Sequence, residues 1–317
     1  MFRTPLMTSS HLTPAHPLKI GTRGSPLALA QAHETRARLA DSFNLPLEAF
    51  EIVVIKVMGD AIQDRALKDI GGKGLFTREI EDALLDGSID IAVHSMKDMP
   101  TEQPKGLILN TYLPREDVRD AFISLLPGGL ADLPPGAVVG TSSLRRKAQL
   151  LHRRPDLQIV EFRGNVQTRL RKLAEGVAQA TLLAMAGLNR LNMTDVPCQP
   201  IDPADMLPAI AQGAIGIERR LDDHRTADLL AAIHDGPTGQ RLRAERSFLA
   251  ALDGSCETPI GGLAELSGGN LTLRGEILRI DGSEVLADHG EALVEDGAEL
   301  GRHLARGLLD RAGPHFF

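Results

Sequence analysis

IDIAVHSMKD, residues 89–98, decides the fold. Its first part, IDIAVH (89–94), is a short apolar run of the kind that forms a buried strand. Its second part, HSMKD (94–98), turns abruptly polar and charged. Upstream, GLFTREIEDALLDG (74–87) carries its apolar residues at helical spacing, and Gly87 supplies the helix stop. Helix, glycine, buried strand and polar corner together make the repeating unit of an α/β layer. In parallel sheets of this type ligands bind beyond the C-terminal ends of the strands, so the corner is also a candidate site.

The same unit recurs on both sides. LKIGT (18–22) reads as a strand and is followed by Thr22-Arg23-Gly24-Ser25, with Ser25-Pro26 opening a helix as N-cap and first helical residue. EIVVIKV (51–57) is a continuous apolar strand. Further strands are expected at 107–113, 120–125, 137–141, 157–162 and 181–186, with helices at 143–153, 165–175 and 186–191. Two strands end in Thr141-Ser142-Ser143 and Arg163-Gly164-Asn165. PREDVRD (114–120) and DGPTGQ (235–240) read as domain crossings. Beyond the second, the order becomes one helix, strands near 260–266, 271–278 and 284–293, and a helix at 296–311, which is a small α+β domain.

The chain has 317 residues and a formal net charge of -7, yet residues 140–172 hold nine lysines and arginines against two acids. That strip is +7, which leaves -14 for the rest and points to a local anionic partner. Nucleic acid is a poor candidate. Single-strand binders interleave basic and aromatic residues, and the chain has nine Phe, one Tyr and no Trp, of which the strip holds Phe162 alone. No uncharged apolar run approaches the roughly 18 residues of a membrane helix. Residues 1–17 lack the apolar core of a secretory signal and read as a floppy extension, so the cytoplasm is the expected location. Two distant cysteines and scattered histidines give no metal site.

Within the strip, Arg145 and Arg146 fall in the first turn of a helix, where a positive side chain opposes the dipole. An anion bound there accounts for them; the bland reading is solvated surface arginines. Arg163 and Arg169 offer guanidinium forks that match carboxylate or phosphate, while Arg171 and Lys172 read as a wet helix face. GGKGLFT (71–77) departs from a P-loop because Gly74 follows Lys73; it reads as a loop carrying one lysine over a cleft, or as a plain glycine turn. Lys97-Asp98 is either an exposed pair or a site in which a carboxylate stabilises a developing cation or moves a proton. Cys256 stands among Gly, Ser and Pro in LDGSCETPIGG, a setting for a nucleophile or attachment point, whereas Cys198 reads as structural. A two-lobed anion-binding module fits the layout but leaves Lys97-Asp98 and Cys256 without a task.

GTRGSPLALAQA, GGKGLF, DIAVHSMKDMP, VGTSSLRR, RRPDL, FRGNVQTRL, AMAGLNRL, AQGAIGIE and GSCETPIGG occur in this order from about residue 18. Together they resemble the porphobilinogen deaminase (hydroxymethylbilane synthase) family, over a span reaching beyond residue 300. The resemblance implies two periplasmic-binding-protein-like α/β domains around a cleft plus a small C-terminal α+β domain. Residues 1–113 and 214–233 would form a discontinuous first domain, 118–209 the second, and 237–317 the third. It implies a transferase that condenses four porphobilinogen molecules head to tail into 1-hydroxymethylbilane, releasing ammonia. The primer would be one dipyrromethane per chain, held as a thioether on Cys256. Asp98 matches the catalytic aspartate, and Lys97, Ser143, Arg145 and Arg146 match contacts to the cofactor carboxylates. Thr141, Ser142 and Gln212 match lesser cofactor contacts. Arg23, Arg163, Arg169 and Arg190 match arginines for substrate or growing-chain carboxylates, with Ser25 a lesser contact. Lys73 and Phe76 match an active-site loop, where Asp69 replaces a lysine that some relatives carry. A cytoplasmic monomer without metal, nucleic acid or membrane partner is expected; the alternative is a cofactor-free carboxylate-binding protein.

Overall fold

The computed structural model describes residues 12–57, 77–254, 258–314 and 316. By packing, the chain divides into two compact units, Met1–Arg115 with Ala214–Gly239, and Glu116–Gly213 with Gln240–Phe317.

The first unit opens with β1 (Leu18–Arg23) and α1 (Pro26–Phe43), followed by β2 (Phe50–Ile55), α2 (Arg78–Leu85), β3 (Ile91–Ser95) and β4 (Leu107–Tyr112). It is completed by β10 (Ile215–Arg220) and α6 (His224–Ala231). The sheet order is β2-β1-β3-β10-β4. Ser25 caps α1 as its sequence requires: Ala28 N–H donates to its Oγ at 3.3 Å, and Pro26 begins the helix. Ile20, Phe50, Val93 and Ile217 build the core on one face of the sheet, and Ile80, Leu84, Ile89 and Ala92 the core under α2 on the other. Leu12 is buried in the first of these cores and Thr13 bridges to His16, while residues 13–16 themselves are exposed.

In the second unit, β5 (Asp120–Ser124), β6 (Val138–Gly140), α3 (Leu144–Arg153), β7 (Gln158–Val160), α4 (Val166–Ala174), β8 (Ala180–Ala184), α5 (Met185–Arg190) and β9 (Gln199–Pro200) give the order β7-β6-β8-β5-β9. The same unit holds most of α7 (Gly236–Ala251), then β11 (Ile260–Ser267), β12 (Asn270–Leu278), β13 (Val285–Leu293) and α8 (Gly297–Ala312). These last three strands form an antiparallel sheet of their own, as the change of pattern after residue 240 predicts.

The layers are mixed, where the sequence suggests parallel ones. In the first sheet β10 runs against β3 and β4; in the second β5 runs against β8 and β9. The reason is where each strand starts. Ile215 stands opposite Ser95, and Asp120 opposite Ala184, each at the C-terminal end of a parallel strand. A chain arriving at that end can only run back down the sheet.

Candidate functional site

Each polar corner follows its strand, and local hydrogen bonds fix its shape. At the end of β1, Thr22 is buried and its hydroxyl donates to Ala28 O at 3.2 Å, while Arg23 is half-buried. At the end of β3 the chain makes one 3-10 turn, Met96–Asp98. Met96 anchors that turn. It is buried, its N–H donates to Ala214 O at 3.0 Å, and Met99 N–H closes the turn on Met96 O at 3.2 Å. Gly216 makes room for it, because a β-carbon there would meet Met96 Sδ. Asp98 is exposed and makes no hydrogen bond or ion pair with the described residues; Lys97 is half-buried beside it.

In the second unit, Thr141, Ser142 and Ser143 shape the corner after β6. Ser143 N–H donates to Thr141 Oγ1 at 3.2 Å, Phe162 N–H to Ser142 Oγ at 3.2 Å, and Arg146 N–H to Ser143 Oγ at 3.4 Å as the N-cap of α3. After β7, Arg163 is half-buried, and Asn165 caps α4 through Thr168 N–H at 2.9 Å. Arg169 Nε donates to Gly164 O at 2.9 Å. Arg190, ending α5, donates to Gly213 O at 3.0 Å. Gln212 is buried, and its Nε2 donates to Val118 O at 2.8 Å and to Asp120 Oδ1 at 2.9 Å.

Arg145 and Arg146 are neither solvated nor open to the surface. Both are buried against Asp120, the first residue of β5. Arg146 donates to Asp120 Oδ1 through Nη2 at 2.7 Å and Nε at 3.2 Å, and to Leu182 O through Nη1 at 2.9 Å. Arg145 Nη2 lies 2.8 Å from Asp120 Oδ2, and its Nη1 donates to Gln149 Oε1 and Leu207 O, each at 2.8 Å. Burial alone would raise the pKa of Asp120; Arg145 and then Arg146 outweigh it and hold the carboxyl well below the usual range. The chain thus supplies an anion for the helix start from within. The signal was legible, since Asp120 is an acid heading an apolar strand, but nothing local ties it to Arg145 and Arg146, far along the chain.

Arg154, and Lys172 that the sequence places on a wet helix face, are also engaged. Arg154 pairs with Asp156 at 2.8 Å and donates to the carbonyls of Leu130, Ala131 and Leu133. Lys172 donates to Arg163 O at 3.1 Å and lies 5.9 Å from the centre of the Phe162 ring. Arg171 does lie on an exposed face. Cys198 is half-buried among Met185, Met193 and Val196, and burial raises its thiol pKa, as a structural cysteine requires. Lys73, Phe76, Asp69 and Cys256 lie outside the described residues.

A buried ionisable cluster under α2 escaped the sequence reading. His94 Nε2 is 3.1 Å from Glu218 Oε2, and Glu81 of α2 is buried on the same side of the sheet. Burial raises the pKa of Glu81, with Glu218 pushing the same way against Thr77 and His94.

Nε of Arg145 and Nη1 of Arg163 are buried with no hydrogen-bond partner among the described residues, as are Nε of Arg36 and of Arg219 in the first unit. Buried donors are nearly always satisfied, so each calls for an acceptor. Guanidinium donors, hydroxyls and a helix start suit carboxylate groups, and the residues of the second unit therefore fit a polycarboxylate such as a dipyrromethane.

Residues 18–228 match the family model described as porphobilinogen deaminase, dipyromethane cofactor binding domain, and residues 240–310 match its C-terminal domain. A porphobilinogen deaminase of Paracoccus denitrificans is 65% identical over 304 residues, covering 96% of this chain and 97% of that protein. The chloroplastic porphobilinogen deaminase of Pisum sativum is 56% identical over 306 residues, 95% of this chain and 83% of that one. Among solved structures, an ancestral cationic amino-acid solute-binding protein matches with a TM-score of 0.44 at 14% identity, over 69% of this chain and 89% of that one.

Proposed function

The chain belongs to the porphobilinogen deaminase family, and from that premise we propose how its own residues carry out the family's reaction. The reaction is hydroxymethylbilane synthesis, a transferase step of tetrapyrrole biosynthesis. Four porphobilinogen molecules are joined head to tail with release of ammonia. The dipyrromethane cofactor supplies a covalently held pyrrole chain end for the incoming unit to extend.

Asp98 is the catalytic residue of this reading. The observation that carries it is an exposed carboxylate, unbonded among the described residues, on a turn pinned by buried Met96 at the end of a buried strand. A rigidly mounted anion of this kind stabilises positive charge that develops on the substrate as protonated amine leaves. It also accepts a pyrrole N–H hydrogen bond. Arg163, with its unsatisfied Nη1, receives a carboxylate of substrate or growing chain, and Arg23, Arg169 and Arg190 serve the same task. Lys97, Ser143, Arg145 and Arg146 hold the cofactor carboxylates, with Thr141, Ser142 and Gln212 supporting them and Ser25 shaping the substrate side. For Arg145 the unsatisfied Nε supports that role, since its other nitrogens are engaged with Asp120, Gln149 and Leu207. Cys256 carries the cofactor, and Lys73 and Phe76 belong to a loop over the site.

The three-domain division, 1–113 with 214–233, 118–209 and 237–317, is part of the same proposal. So is action as a cytoplasmic monomer without nucleic-acid or membrane partners. No helix among the described residues is long and apolar enough to cross a membrane.

Asp98→Asn tests the reading. The variant is expected to fold, keep the mass of the attached cofactor, and lose roughly a hundredfold or more in kcat, the scale of a removed electrostatic or acid–base group. Near-normal turnover would overturn the catalytic role. Cys256→Ala is expected to have the bare sequence mass in intact mass spectrometry; a retained increment of two pyrrole units would move the attachment elsewhere.

A further inference from the structure

Glu245, in α7, is a fully buried acid that no step of the reaction uses. Its carboxylate accepts two backbone donors: Ala211 N–H at 2.7 Å on Oε2 and Ala264 N–H at 2.9 Å on Oε1. Ala264 lies in β11, so Glu245 ties the middle of α7 to the middle of β11, the two elements that flank Cys256 in the sequence. Ala211 lies in a different segment, the 207–212 loop that precedes β10.

That loop is held from both sides. Leu207 O accepts from Arg145 Nη1 and Gln149 Nε2, both at 2.8 Å, and Pro208 O accepts from Gly262 N–H of β11 at 3.0 Å. Ala211 itself adopts φ 59°, a left-handed conformation that a residue with a β-carbon rarely takes. The next residue, Gln212, donates to Asp120, which holds Arg145 and Arg146. A continuous chain of bonds therefore runs from Glu245 through the strained Ala211 and Gln212 to the arginine cluster.

We propose that Glu245 is a positioning residue, which ties α7 and β11 to the 207–212 loop and registers that loop on the Asp120–Arg145–Arg146 cluster by holding Ala211 left-handed. The proposal rests on the family reading only in assuming that Cys256 is the attachment point. A carboxylate is required because both of its oxygens face N–H donors. A glutamine keeps the shape but turns an N–H group against one of them, leaving two donors face to face.

The test uses the full chain with Glu245→Gln, Leu304→Ala as a control, and Glu245→Gln combined with Ala211→Gly. Leu304 is buried in α8 of the C-terminal segment, so its truncation lowers stability without touching the bonds of Glu245. The readouts are thermal midpoint, fraction of chain bearing the two-pyrrole mass, and kcat with KM. For Glu245→Gln the ratio of loaded to bare chain is expected to fall about tenfold or more, the scale of hydrogen bonds to a charged acceptor. Leu304→Ala is expected to lose thermal stability and stay loaded. The double variant is expected to regain loading, because glycine takes the left-handed conformation unaided. Full loading of Glu245→Gln, equal loss of loading in Leu304→Ala, or no recovery in the double variant would each overturn the proposal. A bare wild-type chain would instead overturn the family reading of Cys256.

Discussion

Arg146 and Asp120 meet through two guanidinium nitrogens on one carboxylate oxygen, at 2.7 and 3.2 Å, and both side chains are buried. Arg145 takes the other oxygen. One carboxylate thus carries two guanidinium groups in a place without bulk water. Removing it leaves two buried cations facing each other.

Asp120→Asn is therefore expected to destabilise the protein by about 3–5 kcal/mol, the cost of an uncompensated buried charge. Equilibrium urea unfolding at neutral pH measures it. The sign with pH follows from the depressed pKa of Asp120. Its contribution is present above the unfolded carboxylate value and disappears as pH falls through the much lower folded value, so wild type and variant converge only in strong acid.

Glu81 works in the opposite direction. Its pKa is raised by burial, so the folded state carries no charge penalty at acid pH and acquires one as pH rises through the raised value. Glu81→Gln cannot ionise. It is expected to match wild type below the ordinary glutamate pKa and to exceed it in stability once wild type is charged. Thermal midpoints of the two proteins, followed from about pH 4 to about pH 9 to bracket that transition, give the comparison.

Gly216→Ala probes the mounting of Asp98. The added methyl would press on Met96 and Leu109, and Met96 begins the turn that presents Lys97 and Asp98. Overpacking of this kind costs about 1–3 kcal/mol. A misplacement of about an ångström at the reacting group costs up to a hundredfold in rate. Steady-state kinetics should therefore show kcat falling more than the stability loss explains.

Arg163→Lys keeps the charge and loses the planar fork. KM for porphobilinogen is expected to rise about tenfold, with Arg163→Leu worse, on the scale of a charge-assisted hydrogen bond. Arg171→Leu, on the exposed face of the helix that follows, should leave KM unchanged and serves as the comparison.

Much of this was legible in the chain. Ser25-Pro26, Ser143 and Asn165 announce helix starts by their own side chains, and each caps its helix. The runs at 89–94 and 181–186 give strands because most of their residues are apolar and buried, with His94 and Thr181 as buried polar exceptions. What was not legible depends on pairing at a distance. The reversed direction of β5 and β10 follows from where the chain crosses, and no local pattern encodes it. The roles of Asp120, Glu245 and Glu218 are hidden for the same reason: a lone acid in an apolar or helical stretch looks alike whether it faces water or clasps a distant amide. Arg145 and Arg146 show the other side. Their position against the helix dipole pointed to an anion, and the one the structure sets beside them is Asp120 of the protein itself.

That internal pairing has an electrical consequence. Asp120 spends its charge on two arginines, Asp156 answers Arg154, and Gln149 carries the contact onward to Glu276 at 2.5 Å. Asp156 is already counted in the +7 of the strip; Asp120 and Glu276 answer it from outside within a few ångströms, shorter than the roughly 8 Å over which physiological salt screens a field, and a positive excess remains on residues such as Lys147, Arg153 and Arg163. Seen from solution, the molecule is governed by its net charge of -7. An anionic substrate then gains no long-range guidance and feels the guanidinium groups only on arrival. Recognition is exercised at touching distance, where each guanidinium meets its carboxylate.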